Sequence, residues 1–184
     1  MSEVILEMAE KMEKSVEMFK VELSKIRTGR ASLALLDGIK VDAYGTSMPL
    51  NQVATLTVPE SRLIAIQPWD PQMLPIIEKA LLKASIGLTP VNDGKIIRLN
   101  VPQLTEERRK ELVKLVKKNA EEFRVAVRNS RREAIDILKK QKQNKDISED
   151  DMYKLQDEAQ SETDAYIKLI DEATASKEKE VMEV

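Results

Sequence analysis

The sequence predicts an α+β chain, an elongated bundle of three long helices with a small β/α/β domain inserted between the first helix and the second. Three observations predict it. All seven prolines and four of the five glycines fall between residues 31 and 105, with Gly29 at the border. Proline and glycine punctuate turns and short strands and are costly inside helices, so the two unpunctuated flanks read as helical. The flanks carry apolar residues at three- and four-residue steps, whereas the middle carries β-branched runs of strand length. Aromatic residues make up only 3% of the chain and charged residues 34%, a mix that favours long helices over a β-sandwich.

In the first flank Ile5, Met8, Met12, Val16, Phe19, Leu23 and Ile26 form one apolar stripe, on a helix expected to end near Thr28-Gly29. The middle offers strands at IKVDAY (39–44), VATLTV (53–58), RLIAIQ (62–67) and KIIRLNV (95–101). Gly45-Thr46-Ser47 and Asn92-Asp93-Gly94 read as hairpin turns. Pro71 to Ala84 suits a helix laying Ile76, Ile77, Ala80 and Leu81 on a small sheet. Thr105 followed by Glu106 and Glu107 then caps a second long helix, with Leu112, Leu115, Val116, Phe123, Ala126, Val127, Ala134, Ile137 and Leu138 on its apolar face. At 1.5 Å per residue that helix is about 55 Å long. A third opens at Ser148-Glu-Asp-Asp and turns Met152, Leu155, Ala159, Tyr166, Leu169 and Ala173 inward. Three such stripes bury one another in a bundle.

The bundle therefore comprises 1–29 and 105–184, and the inserted domain 30–104. The chain crosses between them twice. Gly29, Arg30 and Ala31 on one crossing and Pro102, Gln103, Leu104 and Thr105 on the other are the hinge candidates, although a rigid elbow is equally allowed.

Composition excludes several kinds of chemistry. Histidine and cysteine are both absent, which removes mechanisms built on imidazole or thiolate and most zinc sites. The lack of cysteine fits a reducing cytosol as well as a disulfide-free secreted protein. No apolar run approaches the roughly 20 residues that span a bilayer, and the start MSEVILEMAEKME is too interrupted by charge for a signal peptide. GLTPVNDGK (87–95) superficially resembles a phosphate-binding loop. Six residues separate its glycines where four are required, and Ile96 follows the lysine, so a hairpin turn is the better reading. The carboxylates of ISEDDMY (147–153) are explained by helix capping without a metal. No nucleophile–base pair stands out, and neither a metal nor a cofactor is expected.

The net charge of −2 hides a segregated distribution. Residues 106–142 carry thirteen basic and seven acidic side chains, and residues 143–184 carry five basic and thirteen acidic. The densest cationic stretch is FRVAVRNSRREA, residues 123–134. On an ideal helix with Arg124 at zero, Arg128 falls at about 40°, Arg131 at about −20° and Arg132 at about 80°. Lys110, Lys114, Lys117, Lys139 and Lys142 fall within the same arc of about 0° to 80°. The apolar face centres near 250°, so the helix has a core side and a cationic side, the latter broken chiefly by Glu121 and Ile135. A charge run is usually a solvated face laced with salt bridges. On this wheel, glutamate partners look too few, and like charges at i,i+4 such as Arg124/Arg128 repel. A polyanion relieves that repulsion. With few aromatics for base stacking and no recognition-helix or zinc motif, shape and phosphate contacts on a structured RNA fit best.

Several segments carry a family resemblance. SKIRTGRAS (24–32), LLDGI (35–39), YGT (44–46), LTEERRKEL (104–112), VAVRNSRRE (125–133) and ISEDD (147–151) resemble the bacterial ribosome recycling factor family, in the family's order and over essentially the whole chain. The resemblance implies an L-shaped protein with a flexible hinge; a monomer in the cytoplasm is expected. It implies binding to the spent ribosome, with the bundle against large-subunit ribosomal RNA, and subunit separation together with elongation factor G and GTP. The GTP chemistry then belongs to that partner, and this chain is no enzyme. It places RNA-facing arginines at Arg128 and Arg131 with Arg132 beside them, and further arginines at Arg109 and Arg27. Arg124 and Lys117 join that set from the wheel. The alternative reading is an elongated helical chaperone or adaptor meeting an acidic protein surface.

Overall fold

The computed structural model describes residues 2–183. In chain order the elements are α1 (Glu3–Ser24), β1 (Lys40–Ala43), β2 (Thr46–Pro49), β3 (Ala54–Glu60), β4 (Leu63–Pro68), α2 (Leu74–Lys83), β5 (Pro90–Asn92), β6 (Ile97–Asn100), α3 (Glu106–Gln143) and α4 (Glu149–Met182). They form two compact units, residues 2–28 with 105–183, and residues 29–104.

The first unit is α1, α3 and α4 packed side by side. Each helix starts where a hydroxyl satisfies a free backbone N–H. Ser2 accepts from the Ile5 amide of α1, Thr105 from the Arg108 amide of α3 and Ser148 from the Asp151 amide of α4. Asp151 reaches back to the Ser148 amide and completes a capping box, so these carboxylates have a structural task. The apolar stripe of α1 is buried as its spacing predicts. The helix itself stops at Ser24 rather than near Thr28-Gly29. Beyond it Ile26 is still buried, and Thr28 Oγ1 donates to the Glu180 carboxylate of α4 at 2.9 Å, so tertiary contacts lead the chain off the helical path.

On α3 the buried line is Leu112, Val116, Ala120, Val127, Ala134 and Leu138. Leu115 and Ile137, expected inside, are exposed. They lie at about 180° and 220° on the wheel, at the margin of the arc that touches both neighbouring helices. On α4 the buried line is Ala159, Thr163, Ile170, Thr174 and Val181. Leu169 is exposed, and Met152, Leu155, Tyr166 and Ala173 are only half-buried. A reading by apolarity passes over the threonines, but both are satisfied within the helix. Thr163 donates to the Ala159 carbonyl at 2.6 Å and Thr174 to the Ile170 carbonyl at 2.7 Å. Once satisfied, they fill the seam at small volume.

The second unit has two antiparallel sheets where one was expected, β1–β2 and the four-stranded β3–β4–β6–β5. The short strands β2 and β5 have no strong apolar alternation to announce them. The first hairpin turn is Tyr44-Gly45, because Ala43 pairs with Thr46 and both turn residues take positive φ, 51° and 79°. Thr46 thus begins a strand instead of sitting in the turn. Residues 93–96 connect β5 to β6, with the Asp93 carboxylate accepting from the Lys95 and Ile96 amides. That chemistry is a hairpin connection and no phosphate cradle. Helix α2 buries Leu74, Ile77 and Leu81 in a core with Val41, Ile64, Ile66, Ile97 and Leu99, while Ile76 stays exposed.

The backbone passes between the units at Thr28-Gly29 and Leu104-Thr105. Gly29 has φ +74°, and a Cβ placed on it lies 3.0 Å from Leu104 Cγ. The glycine serves this close approach, not a helix end. Gly29→Ala is expected to cost about 1–2 kcal/mol from the left-handed backbone and the crowding, measurable as a lower urea midpoint.

Candidate nucleic-acid interface

The cationic face is built on α3, a 38-residue helix about 57 Å long at 1.5 Å per residue. Its neighbours run antiparallel to it. The Lys11–Glu133 ion pair and the Phe19–Phe123 ring contact align α1 against it, and Arg124–Asp171 and Lys142–Glu149 align α4. These pairings decide which cations remain available.

Much of the predicted stripe is compensated, at its middle and at both extremes. Arg124 Nε and Nη2 meet Asp171 Oδ1 at 2.8 and 2.7 Å, and its Nη1 meets Glu121 Oε2 at 3.1 Å. Only 23% of its side chain is exposed. Arg128 donates to Glu121 Oε1 at 2.9 Å. Lys117 is 3.9 Å from Glu178, Lys110 2.7 Å from Glu106, and Lys142 2.8 Å from Glu149. Hydrogen bonds from Arg128 and Arg124 hold the Glu121 carboxyl below the usual range, and Lys142 does the same for Glu149, so both stay ionised at neutral pH. The expectation that acidic partners are too few on this face is therefore corrected. Two partners, Glu106 and Glu121, lie on α3 itself, and Asp171, Glu178 and Glu149 come from α4, which a wheel of one helix does not display.

A few cations are different. Arg132 is exposed and has no acidic partner among the described residues, and Arg131 bonds only the neutral side chain of Gln160 on α4. These two arginines rim a shallow groove with Ile135, Asp136, Lys139, Gln156, Asp157 and Gln160; its two carboxylates form no ion pair with either arginine, and Asp136 lies 4.0 Å from Lys139. At the other end, exposed Arg27 and Lys114 and half-buried Arg109 likewise lack an acidic partner among the described residues. The hydrogen bond from Thr28 to Glu180 brings the Arg27 segment to this end of the bundle. Arg109 lies at about 300° on the wheel, off the stripe, and about 33 Å along the axis from Arg131. Of the seven predicted cations, Arg131 and Arg132 share one groove without an ion pair, Arg27 and Arg109 are unpaired toward the other end of the bundle, and Lys117, Arg124 and Arg128 are neutralised. Lys114, already in the cationic arc at about 80°, is unpaired toward that end too, on a different face from Arg109.

Arg124 reads as a staple between α3 and α4. Arg124→Ala is expected to lose about 1–2 kcal/mol of stability through its charge-assisted bonds to Asp171 and its packed stem, seen in urea unfolding, where Arg132→Ala changes little.

The pattern shared by ribosome recycling factors matches residues 19–182. The chain belongs to the ribosome recycling factor family. It is 72% identical over 184 residues to the ribosome-recycling factor of Desulfotalea psychrophila, covering 100% of both chains. It is 58% identical to that of Desulfosudis oleivorans, over 97% of this chain and 96% of the relative. A solution structure of a ribosome recycling factor superposes with a TM-score of 0.79 at 43% identity, covering 100% of each chain. A second match, at TM-score 0.64 and 45% identity over 98% of each chain, comes from models for the T. thermophilus ribosome recycling factor and the E. coli elongation factor G bound to the E. coli post-termination complex. Family and α+β fold agree with what the sequence segments implied. Among the described residues no helix is long and apolar enough to cross a membrane.

Proposed function

We propose that this chain is a cytoplasmic, monomeric translation factor that binds the post-termination ribosome and, with elongation factor G and GTP, separates its subunits for reuse. It binds large-subunit ribosomal RNA through α3. The observation that carries this reading is the pair Arg131/Arg132, two guanidinium groups on a chain of net charge −2 that form no ion pair among the described residues. Guanidinium forks match phosphate geometry and hold charge at any physiological pH. Arg27, Arg109 and Lys114 supply further, separate phosphate contacts toward the other end of the bundle. Such spaced contacts suit a large folded RNA surface better than a short duplex site. The chain contributes binding and position, while the GTP chemistry lies with elongation factor G. No metal or cofactor enters this reading. The residues at the two crossings, Gly29-Arg30-Ala31 and Pro102 to Thr105, serve as the hinge in the same proposal.

The test is subunit splitting of post-termination ribosomes with elongation factor G and GTP, with and without this protein. Splitting that depends on the protein, with binding to large subunits that weakens steeply with salt, is the expected result. Absence of binding to ribosomes at low salt would overturn the reading.

A further inference from the structure

The Glu121 carboxylate lies inside the cationic face it neutralises. On the wheel it sits at about 60°, between Arg128 at about 40° and Arg132 at about 80°. Both of its oxygens are engaged, Oε2 on Arg124 at 3.1 Å and Oε1 on Arg128 at 2.9 Å, and its side chain is 54% exposed. Both partners are on its own helix. Glu121 therefore ties no two helices together, unlike Asp171, which reaches Arg124 from α4. An exposed carboxylate with purely intrahelical partners adds little to fold stability. Its consequence is for whatever approaches the face.

Resting on the RNA-binding reading above, we propose that Glu121 is an affinity-setting residue of the interface, an in-built carboxylate that competes with RNA phosphate for Arg128. Carboxylate and phosphate are both oxyanions that guanidinium binds through the same N–H groups. A phosphate reaching Arg128 must displace Glu121 Oε1 or share the guanidinium with it, and it meets the charge of Glu121 as it arrives. Arg124 is not released in the exchange, because Asp171 holds it from the other side. The surface thus offers Arg131 and Arg132 without an ion pair, with Asp136 and Asp157 in the same groove, and Arg128 only in competition. Affinity is held below what the arginine count suggests, which suits a factor that binds a ribosome and then leaves it.

The test uses the full chain and purified large ribosomal subunits over a range of salt concentrations, with Arg132→Ala as the control for the interface itself. Glu121→Gln keeps the shape and removes the charge. It is expected to tighten binding about three- to tenfold and to steepen the salt dependence by about one phosphate contact, with the thermal midpoint little changed. Glu121→Ala should act in the same direction, and adding Arg128→Ala should abolish the gain. If Arg132→Ala weakens binding but neither Glu121 variant tightens it, the competition is refuted while the interface stands. If Arg132→Ala also leaves binding unaltered, the interface reading itself falls. A gain that persists without Arg128 would assign the effect to general charge and refute the specific exchange.

Discussion

Replacing Arg131 and Arg132 together by alanine is expected to lower affinity for ribosomes by roughly 100-fold, from about 1–2 kcal/mol for each guanidinium–phosphate interaction removed. The fold should tolerate the change. Arg132 is exposed and makes no ion pair, and Arg131 gives up one hydrogen bond to a surface glutamine. Surface substitutions of this kind stay within about 0.5 kcal/mol each, so the thermal midpoint should move by no more than about 3 °C. The salt dependence of binding should flatten by roughly two phosphate contacts, since each neutralised phosphate releases its share of counterions. Subunit splitting at limiting concentration should fall in parallel and recover partly when the protein is added in excess. Unchanged affinity in the double variant would remove the RNA interface from this end of α3.

Phe19→Ala is expected to have the largest effect on stability, about 3–5 kcal/mol. Phe19 is fully buried in the bundle, and its ring meets that of Phe123 with centroids 5.3 Å apart at an angle of 44°. Truncation removes one of the largest buried side chains, leaves a cavity and ends an aromatic interaction worth about 1 kcal/mol beyond burial. The core of the second unit, around Ile64, Ile66, Ile77, Ile97 and Leu99, contains none of these atoms. Loss of helical signal in urea should therefore move to lower concentration, while a probe at Trp69 reports a smaller change. A loss below about 1 kcal/mol would mean that the bundle repacks around the cavity and does not depend on this ring pair.

Local features were the legible ones. Thr105 and Ser148 open their helices because a hydroxyl and the amide three residues on are neighbours in sequence. The α1 stripe is buried because every member repeats at helical spacing against one seam. Legibility fell where a residue had to satisfy two demands. Thr163 and Thr174 are polar by composition yet buried, because the helix backbone satisfies their hydroxyls. Tyr44 adopts a left-handed conformation that turn rules reserve for glycine or asparagine, so the first hairpin lies one residue earlier than Gly45-Thr46-Ser47 suggests.

The candidate interface divides in the same way. By itself the sequence determined the partition into helical flanks and a β-rich insert, the family and the gathering of arginines on one side of α3. Each of these depends on residue order, on spacing along a single helix or on segment-by-segment resemblance. Only the tertiary structure decided which of those arginines remain free. Arg124 is held by Asp171, forty-seven residues further along the chain, while Arg132, with Asp136 and Asp157 in its groove, forms no ion pair among the described residues. A guanidinium is neutralised by whatever lies within about 3 Å of it, and at that range the packing of α4 against α3 counts for more than the net charge of either helix.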